Sequence, residues 1–116
     1  MLPEELNMLP FGTICLDRRG TVLAYNAAEE RLAGRRAQDI VGKNFFEEVA
    51  PCTRVRKFQG AFAEGMERRS LNEVFDFTFH FPHGKREVRI RLIYTDKPSE
   101  CVWVFATPIL NTVGPR

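Results

Sequence analysis

From Glu73 onward the apolar positions recur at every second residue. Phe75, Phe77, Phe79 and Phe81 fall on one side and Asp76, Thr78 and His80 on the other, the period of a strand with one buried face. Pro82-His83-Gly84 interrupts the run as a turn. Alternation then resumes over 87–94, with Val88, Ile90 and Leu92 set against Glu87, Arg89 and Arg91, and Thr95-Asp96-Lys97-Pro98-Ser99 turns into a last strand over 101–107. This half of the chain reads as an antiparallel meander. The other end opens with two short β-prone runs, 11–17 and 21–25, about Arg18-Arg19-Gly20, the pattern of a hairpin with glycine at its left-handed position.

Between these sets of strands the period is helical. Asn26 with Glu29 three residues later is a capping-box start, and Gly34 is a stop, so a short helix runs to Ala33. A second helical turn is expected over 37–41, ended by Gly42. Asn44 and Glu47 repeat the start signal ahead of a brief helix over 45–49, which Pro51 prevents from continuing. Val55, Phe58, Phe62 and Met66 then recur at three- and four-residue intervals and predict the longest helix, 55–68. The order β-β-α-α-α-α-β-β-β implies an α+β fold: one five-stranded antiparallel sheet with the helices packed on one face. Residues 1–10 read as a lead-in, 11–110 as the domain and 111–116 as a loose tail.

Composition sharpens this picture. A chain of 116 residues can bury one core without staples, and its ten phenylalanines must fill much of it with rings. The formal net charge is +2, with glutamates interleaved among arginines, which argues against a nucleic-acid partner. Cys15, Cys52 and Cys101 are odd in number and widely spaced, so they outline neither a disulfide framework nor a metal knuckle. An acidic start and the lack of a long apolar run predict no membrane partner and a cytoplasmic protein. His80 and His83 have no helical-spaced partner or nearby cysteine that would make a metal site. No nucleophile, base and orienting group can be assembled into an enzyme's site, nor is there a phosphate-binding glycine loop.

Three runs carry more specific information: Tyr25-Asn26-Ala27-Ala28-Glu29, Gly42-Lys43-Asn44-Phe45-Phe46 and Val49-Ala50-Pro51-Cys52-Thr53. Together with most of the chain from Phe11 to Phe105 they resemble the photoactive yellow protein family of PAS domains. The resemblance implies the PAS fold and a blue-light sensory function, with 4-hydroxycinnamic acid (p-coumaric acid) held as a thioester on Cys52. It further implies that Tyr25 and Glu29 hydrogen-bond the buried phenolate, that Arg35 shields the pocket, and that Phe45 and Phe79 help to form it. The sequence departs from the family at Ala33, where a threonine supports the tyrosine, in the short segment ahead of Phe11, and at the Pro82-His83-Gly84 turn.

The residues themselves leave other roles open. Cys52 can be a small buried apolar group, Glu29 the reciprocal acid of a capping box, and Tyr25 a core ring with its hydroxyl at the rim. Arg86, Arg89 and Arg91 read as cross-strand partners of Asp76 and Glu87 or as a docking patch on the sheet. Two functions follow: a photoreceptor signalling to a protein partner, or a chromophore-free PAS module that binds a protein, a small ligand or a second copy of itself.

Overall fold

In the computed structural model, which describes residues 3–109, a short helix, α1 (Pro3–Met8), precedes the hairpin strands β1 (Gly12–Leu16) and β2 (Val22–Tyr25). The helix lies inside the stretch read from sequence as a lead-in. The hairpin turns as expected: Gly20 has φ +89°, and the Asp17 carboxylate accepts from the N–H groups of Arg19 and Thr21, each at 2.9 Å. Helix α2 (Ala27–Ala33) follows, starting at Asn26 and ending at Gly34 with φ +72°.

The next segment is tighter and more irregular than its periodicity suggests. Residues Ala37–Asp39 form a single 3₁₀ turn, and Phe45–Val49 a π turn closed by the Ala50 N–H on the Phe45 carbonyl at 2.7 Å. Asn44 caps the π turn through bonds from the Phe46 and Glu47 amides. The carboxylate reaching back to the Asn44 amide belongs to Glu48 at 3.0 Å, rather than to Glu47. A one-residue shift of that kind follows from the wider turn.

The expected helix over 55–68 also divides, into a π turn Arg56–Gly60 and helix α3 (Ala61–Arg68). Val55 is extended and 45% exposed, so it precedes the buried stripe instead of joining it. Its carbonyl accepts the amides of both Phe58 and Gly60, and Phe58 is fully buried. That ring meets Phe45, Phe46, Phe75, Phe77 and Phe79 at centroid distances of 5.3–6.1 Å, mostly edge to face. Phe58 therefore joins the helical layer to the sheet.

Strands β3 (Asn72–Phe81), β4 (Gly84–Thr95) and β5 (Cys101–Pro108) complete one antiparallel sheet of order β2-β1-β5-β4-β3. Its inner face carries Ile14, Leu16, Val88, Ile90, Leu92, Val102 and Val104, all in the core beneath the helices. On the outer face Arg89 stands opposite Asp76 in the register and binds it at 2.8 Å, both exposed, as cross-strand pairing predicts. Such an exposed pair adds little stability.

A buried amide also ties the helical layer to the sheet. Asn26, 1% exposed, accepts from the backbone N–H of Thr13 in β1 (2.9 Å) and of Glu29 in α2 (3.0 Å). Its Nδ2 donates to the carbonyls of Leu6 in α1 (2.8 Å) and Phe11 (3.1 Å). Asn26→Ala removes a helix cap and leaves the Thr13 N–H and the Leu6 and Phe11 carbonyls without their side-chain partner, and is expected to lower the free energy of unfolding by about 2–4 kcal/mol in urea titrations. A loss below about 1 kcal/mol would contradict this role.

Candidate functional site

Between α2, the stretch 45–51 and the far end of β3 the fold leaves a cavity of about 230 Å³. Its wall includes Tyr25, Glu29, Arg35, Phe45 and Phe79, five of the six residues predicted for the site, together with Ala33, Val49, Ala50 and Pro51. It is smaller than the roughly 300–1,000 Å³ of drug-sized ligand pockets and suits a single aromatic ring with a short arm.

Tyr25 is the last residue of β2, paired with Ile14 so that its ring turns to the inner face. Glu29 stands in the first turn of α2. The Asn26 amide N–H, which a capping-box carboxylate would bind, goes instead to the Thr13 carbonyl at 3.0 Å. Glu29 is thus released from the capping role, and its side chain turns inward, leaving the residue 4% exposed. Its Oε1 is buried without a hydrogen-bond partner among the described residues. That oxygen lies over Gly12, where a β-carbon would collide with it. A glycine in β1 makes room for this carboxyl.

Burial pushes the Glu29 carboxyl up to about 8, so it holds its proton at neutral pH. Tyr25 is also pushed above its ordinary value, first by burial and then by the charge of Glu29, with Arg35 working the other way. The wall of the cavity therefore holds two protonated oxygen donors. Such a pair suits an anionic oxygen on a ligand, which each can meet with a hydrogen bond.

Arg35 donates from Nη1 to the Val49 carbonyl at 2.7 Å, tying the end of α2 to the stretch just before Cys52. Cys52 sits in a 3₁₀ turn, Pro51–Thr53, half-buried against the core and adjacent to the lining residues Ala50 and Pro51. The cysteine itself is outside the cavity wall. The turn is fixed by Thr53, fully buried, whose hydroxyl and amide both donate to the Ala50 carbonyl at 2.7 and 2.9 Å.

Sequence reasoning missed several contributors. Gly12 is legible only once β1 is laid under α2. His80, Phe81 and Pro82 also line the cavity, although His80 is exposed as its strand face predicts. His83, from the turn where the sequence departs from the family, donates from Nε2 to the Leu32 carbonyl at 3.0 Å and packs beside Phe81, with ring centroids 5.4 Å apart.

The family model for the PAS fold matches residues 1–109. The photoactive yellow protein of Halochromatium salexigens is 45% identical over 92 residues, 79% of this chain and 74% of that protein. The photoactive yellow protein of Cereibacter sphaeroides is 38% identical over 103 residues, 89% and 82% of the two chains. Among solved structures, the photoactive yellow protein domain of the sensor histidine kinase Ppr from Rhodospirillum centenum superposes with a TM-score of 0.86 at 37% identity, covering 92% of this chain and 93% of that one. The PAS domain of an HTR-like protein from Haloarcula marismortui has a TM-score of 0.73 at 14% identity, covering 92% and 88%, and shares the fold alone. By sequence and by fold, the chain belongs to the photoactive yellow protein family of PAS domains.

Proposed function

We propose that this chain is a blue-light sensory module that carries a 4-hydroxycinnamoyl group on Cys52, with Tyr25 and Glu29 hydrogen-bonding its phenolate oxygen. The observation that supports this reading best is Glu29: a buried carboxyl with one oxygen unpartnered among the described residues, in the wall of a cavity of one-ring size. When bound, such a group supplies absorption of blue light and a double bond that light isomerises. Phe45 and Phe79 would flank its ring, and Arg35 would close the cavity through its bond to Val49.

The chain's own residues explain how a signal could arise. Glu29 as a neutral acid donates a hydrogen bond at modest cost; as an anion in the same place it would be a desolvated, unpaired charge. Losing that proton would set α2 against the sheet on which it is packed. The relation to a sensor histidine kinase domain supports a signalling protein as the recipient, with a second copy as another candidate. The three free thiols suit a reducing, cytoplasmic setting, and the reading is of a sensor, not an enzyme. One observation favours a second reading, non-covalent capture of a phenol in the same cavity: Cys52 flanks the wall without forming part of it.

Reconstitution with activated 4-hydroxycinnamic acid is expected to add one cinnamoyl mass and a visible band that bleaches in light, both lost in Cys52→Ala with the fold intact. A band that survives Cys52→Ala selects the non-covalent reading. No band in either protein leaves neither reading standing.

The pH dependence of stability tests Glu29 without any ligand. Its pKa rises from 4.5 unfolded to about 8 folded, so between these values the native state keeps a proton that the unfolded chain has lost. Stability is then greatest below about pH 4.5 as far as this group is concerned, and falls as pH rises to about 8, by on the order of 4 kcal/mol. Glu29→Gln is expected to remove that fall, making the variant the more stable of the two at pH 8.5. Parallel urea-midpoint curves for the two proteins between pH 5 and 8.5 would contradict the assignment.

A further inference from the structure

Cys15 and Cys101 have no part in the cavity. They stand on neighbouring strands: Cys15 pairs with Trp103 and Leu16 with Val102, which makes Cys101 the diagonal neighbour of Cys15 across the β1/β5 ladder. Ile14, Leu16, Val102 and Val104 belong to the core, so both cysteines project from the opposite face. Each is a free thiol, 6% exposed.

The surroundings hold these two segments together. Arg18, three residues beyond Cys15, forks onto the carboxylate of Glu100, immediately before Cys101, at 2.9–3.1 Å. Thr95, opposite Cys101 in β4, places its hydroxyl 3.4 Å from the Cys101 sulfur. Hydrogen bonding to the neighbouring Cys15 thiol, with a smaller contribution from Thr95, draws the Cys101 thiol below its ordinary value against the effect of burial. Cys15 moves the opposite way, through the bond to Cys101, burial and the charges of Cys101 and Asp17. The two thiols are thereby moved apart in acidity.

We propose that Cys15 and Cys101 form a redox-modification site, separate from the cavity, that closes to a cross-strand disulfide on reaction with a hydroperoxide. The Cys101 thiolate attacks the peroxide oxygen, the O–O bond breaks, and Cys101 becomes a sulfenic acid as the peroxide leaves as an alcohol or water. The Cys15 sulfur then attacks the Cys101 sulfur. The S–S bond forms, the S–O bond breaks, and the departing hydroxide leaves as water with the Cys15 proton. Overall, two thiols and one hydroperoxide give one disulfide, one alcohol and one water. The bond links β1 to β5 at the end already joined by Arg18 and Glu100, and needs nothing from Cys52.

The test uses the full, fully reduced chain without chromophore, exposed to hydrogen peroxide, then denatured, alkylated and mapped by mass spectrometry with and without dithiothreitol. The expected result is a fall from three alkylatable thiols to one, Cys52. A Cys15 peptide should be cross-linked to a Cys101 peptide within one chain, and be released by dithiothreitol. Cys15→Ser, treated identically, should give no cross-link and a dimedone adduct on Cys101. The proposal is overturned if Cys15 and Cys101 are both recovered alkylated while Cys52 is oxidised, or if the disulfide joins either of them to Cys52 or to a second chain.

Discussion

The placement of the helical layer depends on the side-chain amide of Asn26. One group accepts from β1 and from the first turn of α2 and donates to α1 and to the backbone ahead of β1. Because it is buried, each of those bonds forms in a medium where leaving a partner unpaired is costly. The amide therefore sets both the start and the direction of α2. Glu29 comes three residues later and inherits its position from that constraint.

What Asn26 fixes is locally unfavourable. A carboxyl is held in the interior over a strand glycine, with one oxygen unsatisfied among the described residues, a position that a fold selected for stability alone would fill with an apolar side chain. The remainder of the structure supplies the stability that tolerates it. Phe58 draws the rings of the π turn and of β3 around itself, and the inner face of the sheet is closed by branched aliphatics. The cavity sits at the border between that packed region and the unsatisfied carboxyl.

The strands were legible in the sequence because period two at Phe75, Phe77 and Phe79 and at Val88, Ile90 and Leu92 has no other economical solution. The hairpin and both ends of α2 were legible because glycine and asparagine signal particular backbone conformations. The stretch from 37 to 60 was less so. Wide turns that close on the fifth residue displace a stripe by one position, which moved the capping acid from Glu47 to Glu48 and left Val55 outside the core. At the site, the resemblance picked out five of the lining residues, Tyr25, Glu29, Arg35, Phe45 and Phe79, but periodicity alone could not separate Glu29 as a capping acid from Glu29 as a buried acid. That distinction depends on where the Asn26 amide hydrogen goes, and its acceptor, Thr13, lies in another element. Gly12 and His83 were hidden for the same reason, since each matters only through a neighbour distant in sequence.

The bond from His83 to Leu32 gives α2 a second mooring. The helix is a beam clamped at both ends, by Asn26 where it begins and by the β3–β4 turn where it finishes, with the acidic side chain between the clamps. A beam held this way cannot relieve a load by sliding along its axis. It must bow outward or pull on a clamp, and the clamps lead to different places, one to α1 and the other to an exposed turn at the edge of the sheet. A disturbance inside the cavity thus has two separate exits to the surface, on opposite ends of one short helix.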